Sequence, residues 1–121
     1  MEISELAKAL KDDNKLTSIQ LAVKCESFIG KEVEIKYIID DIKESEIILS
    51  NYKWPGGSME GDLSYSISYD SKRLGSELMK IAKYDKVKMI CKISYCEFYQ
   101  PITDGNKYCI CGFELLSISK I

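Results

Sequence analysis

Leu63-Ser64-Tyr65-Ser66-Ile67-Ser68-Tyr69 alternates without a break, with Leu63, Tyr65, Ile67 and Tyr69 on one side and Ser64, Ser66 and Ser68 on the other. Such a period of two is the mark of a half-buried strand, apolar on one face and small and polar on the other. Just downstream the period lengthens. Leu74, Leu78 and Ile81 form the buried stripe of a helix over 72–83. Alternation then returns in Val87, Met89, Cys91, Ile93 and Tyr95, the inward set of the next strand. A loop over 97–106, holding Pro101 and Asp104-Gly105-Asn106, leads to a last strand from Lys107 to about Ile118.

Upstream, Val33, Ile35, Tyr37 and Ile39 alternate with Glu32, Glu34 and Lys36 in a first strand over 31–40. Residues 40–44 read as a turn. Ile47-Ile48-Leu49 opens a second strand reaching toward Tyr52, and Pro55-Gly56-Gly57 begins a loop that runs to Gly61-Asp62. The order is therefore strand, strand, strand, helix, strand, strand. It predicts a mainly β fold with helices: a five-stranded OB barrel with a helix between strands three and four. Ahead of it, Ile3, Leu6, Ala7 and Leu10 recur at helical spacing. Asp12-Asp13-Asn14 stops that helix. Thr17-Ser18-Ile19-Gln20 fits a capping box for a second helix, with Ile19, Ala22, Val23 and Phe28 facing inward and Gly30 as its C-terminal stop. Residues 1–121 are read as a single domain, with a helical extension over 1–29 and the barrel over 30–119.

Thr17-x-x-Gln20, Gly30-Lys31-x-Val33 and Leu78-x-x-x-x-x-Tyr84-Asp85-Lys86-Val87 together resemble small bacterial OB-fold domains of the tRNA-anti-like type, over roughly residues 17–119. The resemblance implies the same barrel and kinship with anticodon-binding barrels. It rests on structural motifs and brings no functional residue with it. Tyr84 stands where those domains carry lysine or glycine.

Composition excludes several function classes. The chain has 121 residues and no histidine. The commonest general base is therefore missing, and a Ser–His or Cys–His dyad cannot be built. Gly56-Gly57 lacks the Lys-Ser/Thr that a phosphate loop requires. The pairs Asp12-Asp13 and Asp40-Asp41 read as turn and cap chemistry. No apolar run approaches the ~20 residues of a membrane span, and the acidic start Met1-Glu2-Ile3-Ser4-Glu5 lacks the basic region and apolar block of a signal peptide; the expectation is a cytoplasmic chain, or a mature form whose leader has been cut away. Five cysteines make an odd set. Along one strand Cys91 and Cys96 point to opposite faces unless a bulge intervenes. The expectation is no disulfide framework, no metal and no cofactor, with the cysteines as small buried hydrophobes.

Charge is uneven. Residues 1–70 carry 8 Lys and 14 Asp/Glu, and residues 71–121 carry 9 Lys/Arg and 5 Asp/Glu, within a net charge of −2. The basic part, Lys72, Arg73, Lys80, Lys83, Lys86, Lys88 and Lys92, reads as a solvated face that also suits a polyanion.

An OB barrel takes its ligand across strands two and three, flanked by the loops joining strands one and two and strands four and five. The candidate nucleic-acid-binding residues follow from that placement. Tyr52, Lys53 and Trp54 lie at the end of strand two. Phe98 and Tyr99 lie in the loop after strand four, and Lys107 at its far side. Trp54 and Tyr99 would stack bases while Lys53 and Lys107 meet phosphates. Trp54 and Phe98 read equally well as plugs closing the barrel ends. The expected function is a non-catalytic binding module for single-stranded nucleic acid. The alternative is a protein–protein interaction module, such as an adaptor or a small phage or mobile-element inhibitor of a host protein, working through the acidic N-terminal half. A small-ligand enzyme ranks last.

Overall fold

The computed structural model describes residues 1–11, 16–53, 57–99 and 108–121. Three helices, α1 (Ile3–Ala9), α2 (Ser18–Glu26) and α3 (Ser71–Leu78), accompany seven strands. These are β1 (Glu32–Ile42), β2 (Glu46–Leu49), β3 (Tyr52–Lys53), β4 (Gly57–Glu60), β5 (Leu63–Ser68), β6 (Lys86–Tyr99) and β7 (Tyr108–Lys120).

Five of the strands close on themselves. β1 pairs with β2, β2 with β5, β5 with β7, β7 with β6, and β6 with β1. All are antiparallel except β5–β7, in which Tyr65 sits beside Cys111 and Ile67 beside Phe113. With α3 between the third and fourth barrel strands, this is the expected OB barrel. The alternation of residues 63–69 dictates it directly: Leu63, Tyr65 and Ile67 are buried and Ser66 and Ser68 exposed. Their inward neighbours Val33, Ile35, Ile39, Val87, Met89, Cys91, Ile93, Phe113 and Leu115 complete the core.

Four local readings are corrected. First, the segment after β2 is a hairpin, β3–β4, in which Tyr52 pairs with Ser58 and Lys53 with Gly57. Gly57 has a φ of +130°, and a Cβ there would lie 2.7 Å from the Tyr65 carbonyl oxygen, so only glycine lets β4 lie this close to β5. Second, α3 is shorter than 72–83. Asp70 caps it by accepting the Lys72 N–H at 3.0 Å, Leu74 and Leu78 are its buried stripe, and Ile81 follows in the turn beyond.

Third, α2 turns a different face inward. The capping box at Thr17 and Gln20 forms as expected, but Leu21 and Cys25 are buried while Ile19 is 73% exposed and Val23 60% exposed. A short helix with apolar residues all round has no unique stripe, and docking on β6 selects the face. The helix ends at Ser27. Gly30, at φ +91°, then turns the chain into β1 and donates its N–H to the Ile93 carbonyl at 2.7 Å.

Fourth, Tyr95 points outward. The β6–β7 register shifts between Ile93 and Tyr95, which face Phe113 and Gly112, leaving Ser94 as an extra residue. This bulge exchanges the faces of every β6 residue beyond it. Tyr95 becomes 42% exposed and Cys96 is buried. The N-terminal extension behaves as its spacing predicts in α1, where Ile3, Leu6 and Leu10 are buried. That helix packs on β1 and β4, and α2 packs on β6.

Candidate nucleic-acid interface

Beyond the bulge, β6 presents Tyr95, Glu97 and Tyr99 on the outer surface. β7 places Gly112, Ile110 and Tyr108 opposite them. The Tyr99 and Tyr108 rings meet edge to face, centroids 5.3 Å apart. A Cβ on Gly112 would touch the Tyr95 side chain at 3.4 Å, so the ring lies across the bare glycine backbone. The next strand, β5, adds the exposed Ser66 beside Gly112, while Ser64 is buried. The result is a low shelf with aromatic rings standing on it, Tyr95 and Tyr99 being 42% and 46% exposed. Exposed rings on such a surface stack bases with little preference for which base.

The shelf's electrostatics are mixed. Tyr95 shares its face with Glu97, whose carboxylate accepts from the tyrosine hydroxyl and pushes its pKa up to about 12. On the far side of the barrel Lys88 pairs with Glu34 at 3.4 Å and Lys36 approaches the same carboxylate at 3.8 Å. Lys120 pairs with Asp85 at 3.3 Å. Arg73 donates to the carbonyls of Leu115 at 2.8 Å and Leu116 at 3.2 Å. The basic stripe read from the sequence is thus partly occupied within the fold.

Of the expected site residues, Tyr52 is half-buried and Lys53 exposed, both on the β3–β4 hairpin. Phe98 and Tyr99 belong to the end of β6, where they pair with Cys109 and Tyr108, so the placement of both in a loop is corrected. Phe98 is half-buried and packs against the core, lining a cleft with Leu21 and Cys25 of α2, while Tyr99, at the rim of the same cleft, is 46% exposed. Trp54 and Lys107 lie outside the described residues. The structure does not bring Tyr52 and Lys53 together with Tyr99. Four strand spacings separate β3 from β6, roughly 19 Å along the sheet at about 4.8 Å each. Sequence reasoning missed Tyr95 and Tyr108. For Tyr95 the available signal was Gly112, its partner on β7; Tyr108 pairs with Tyr99 and had none.

The bulge also undoes the parity that kept Cys91 and Cys96 on opposite faces. Cys91 stays within the barrel, where burial pushes its thiol up to about 12. Cys96 turns in toward Cys109, their sulfurs 3.6 Å apart.

No family model matches the chain, and no curated protein sequence matches it. Among solved structures it is similar to two crystal structures of the mitochondrial single-stranded DNA-binding protein Rim1 from S. cerevisiae. One, of the selenomethionine-labelled protein, gives 14% identity and a TM-score of 0.55, covering 76% of this chain and 95% of the other. The second gives 12% identity and a TM-score of 0.52, covering 76% and 94%. What they share with this chain is the OB fold.

Proposed function

We propose that this chain is a non-catalytic OB module that binds single-stranded nucleic acid along the outer surface of β5, β7 and β6. The observation that carries the reading is the pair of exposed rings, Tyr95 and Tyr99, standing on a surface kept low by Gly112 and Ser66. The OB fold shared with Rim1 supports it, as do the barrel motifs that resemble tRNA-anti-like domains. Bases stack on the rings, a strand long enough to cross the roughly 19 Å from β6 to the β3–β4 hairpin reaches Lys53, and Lys107, by its place in the sequence, supplies a second phosphate contact. With about two such contacts, the slope of log affinity against log salt is shallow, about −1.4 for a single strand. The absence of histidine agrees with a binding role, and no described helix is long and apolar enough to cross a membrane.

The test is an anisotropy titration of labelled oligothymidine and of a mixed-sequence RNA at low salt. Saturable binding to both, weakened by Tyr95→Ala and Tyr99→Ala, is expected. Unchanged anisotropy at hundreds of micromolar protein would remove the reading. The protein-interaction alternative draws on one observation, the exposure of Ile19 and Val23 on α2. Pull-down with the Ile19→Asp/Val23→Asp double variant as control tests it.

A further inference from the structure

Cys25, Cys96 and Cys109 reach one point from three separate segments, and Cys111 stands beside Cys109. Cys25 stands on the last turn of α2, Cys96 follows the bulge in β6, and Cys109 and Cys111 share the inward face of β7. The sulfurs of Cys25, Cys96 and Cys109 lie within 4.8 Å of one another. Cys96 and Cys109 are 3.6 Å apart, and Cys109 and Cys111 are 4.0 Å apart. All four side chains are buried. In a tetrahedral tetrathiolate site with zinc–sulfur bonds of about 2.3 Å, the sulfurs are about 3.8 Å apart along each edge.

We propose that these four cysteines form a structural site for a soft divalent cation, zinc, closed by four thiolates. A disulfide needs two of these sulfurs and leaves the others without a role. Three convergent sulfurs, with Cys111 next to Cys109, supply the four thiolates that a closed zinc site takes. Binding releases the thiol protons to solvent as the four metal–sulfur bonds form.

The way α2 is held gives a second, independent reason. Its buried side chains are Leu21 and Cys25, while Ile19 and Val23 face solvent. Apolar packing alone fastens this helix thinly. A metal bonded to Cys25 joins α2 to the β6–β7 hairpin, the two strands that carry Tyr95, Tyr99 and Tyr108. The cation also has a route in. A cleft of about 410 Å³ between α2 and β6 is lined by Cys25 and Cys96, with Glu26 and Glu97 among its walls to attract a positive ion. The proposal does not rest on nucleic-acid binding.

The test is elemental analysis of the full chain, purified under reducing conditions and dialysed against metal-free buffer. About one zinc per chain is expected, falling to under about a tenth in Cys96→Ser and Cys109→Ser and kept in Cys91→Ala. Should the serine variants fail to fold, cobalt(II) added to chelator-stripped wild-type chain still reads the site, since tetrahedral thiolate ligation gives intense visible and sulfur-to-cobalt bands. Absence of those bands, with under about a tenth of a zinc per chain after incubation with zinc, overturns the proposal. So does a reduced chain that takes up no zinc and, on exposure to air, loses two titratable thiols to a disulfide.

Discussion

The Tyr65 ring stacks on Phe113 across the parallel β5–β7 pair, centroids 5.2 Å apart and planes inclined by 29°. Each is 1% exposed. The stack fills the barrel where its one parallel pair of strands, among the described residues, runs side by side. Phe113→Ala should destabilise the chain by about 3–5 kcal/mol, as removal of a fully buried aromatic does, because strands on both sides are too constrained to collapse into the space. Urea unfolding of the two proteins measures it, and a midpoint within error of the wild type would show the core to be elsewhere.

Tyr65 also sets a pH dependence. Its hydroxyl accepts from Asn51 Nδ2 at 3.1 Å, yet burial dominates and pushes the pKa from 10.0 up to about 12. The unfolded chain releases this proton first, so the contribution to stability is complete below about pH 10 and is lost as pH rises through about 12. Two units correspond to roughly 3 kcal/mol. Lysines titrate in the same range, so the comparison is with Tyr65→Phe. The stability advantage of wild type over this variant should shrink from pH 9 to pH 12, and a constant difference across that range would contradict the assignment.

Tyr84 is the one non-glycine residue with positive φ among the described residues, at 71°. Its N–H donates to the Ile39 carbonyl at 2.7 Å, which fixes the turn into β6, while its side chain is 75% exposed. The left-handed conformation costs a side-chain-bearing residue about 1–2 kcal/mol, and the extra freedom of glycine in the unfolded chain offsets about 0.5–1 of that. Tyr84→Gly should therefore raise stability by about 0.5–1 kcal/mol, read as a higher melting temperature.

Arg73, the lone arginine, clamps α3 to β7 through the carbonyls of Leu115 and Leu116. Both bonds lie near solvent, so Arg73→Ala should cost about 1–2 kcal/mol, below the full range for charge-assisted bonds. Arg73→Lys should recover only part, since one ammonium does not reproduce the guanidinium fork. The same variants should leave the salt dependence of oligothymidine binding unchanged. A shallower salt slope in Arg73→Ala would instead place Arg73 on a phosphate.

On the outer shelf, Tyr99→Ala and Tyr95→Ala should each weaken single-strand binding by about 1–3 kcal/mol, the range for one lost stacking partner. Phe98→Ala should act mainly on stability, because Phe98 packs against the core. Paired titrations and melts separate the two effects. Equal loss of affinity in all three variants would favour a general structural cause over stacking.

The residue pattern by itself determined the barrel. Alternation in 33–39, 63–69 and 87–93 is a local property with a period of two, and it survives folding because each apolar face has only one inside to meet. The helix after residue 70 and the capping box at Thr17 were legible for the same reason: spacing and cap chemistry act within a few residues. The candidate site was legible only in part. Tyr99 and Lys53 are exposed as expected, and Phe98 is held against the core. What the tertiary structure alone decided begins with one extra residue, Ser94. Nothing in its neighbours announces a bulge, because a register shift is set by the partner strand. Yet the bulge turns Tyr95 out onto Gly112 and Cys96 in toward Cys109. The inward face of α2 has the same origin. A helix with Ile19, Leu21 and Val23 around its circumference gains burial by docking on several faces, and the surface of β6 chooses among them. Period and caps belong to the chain, whereas register and docking belong to pairs of elements and exist only once those elements meet.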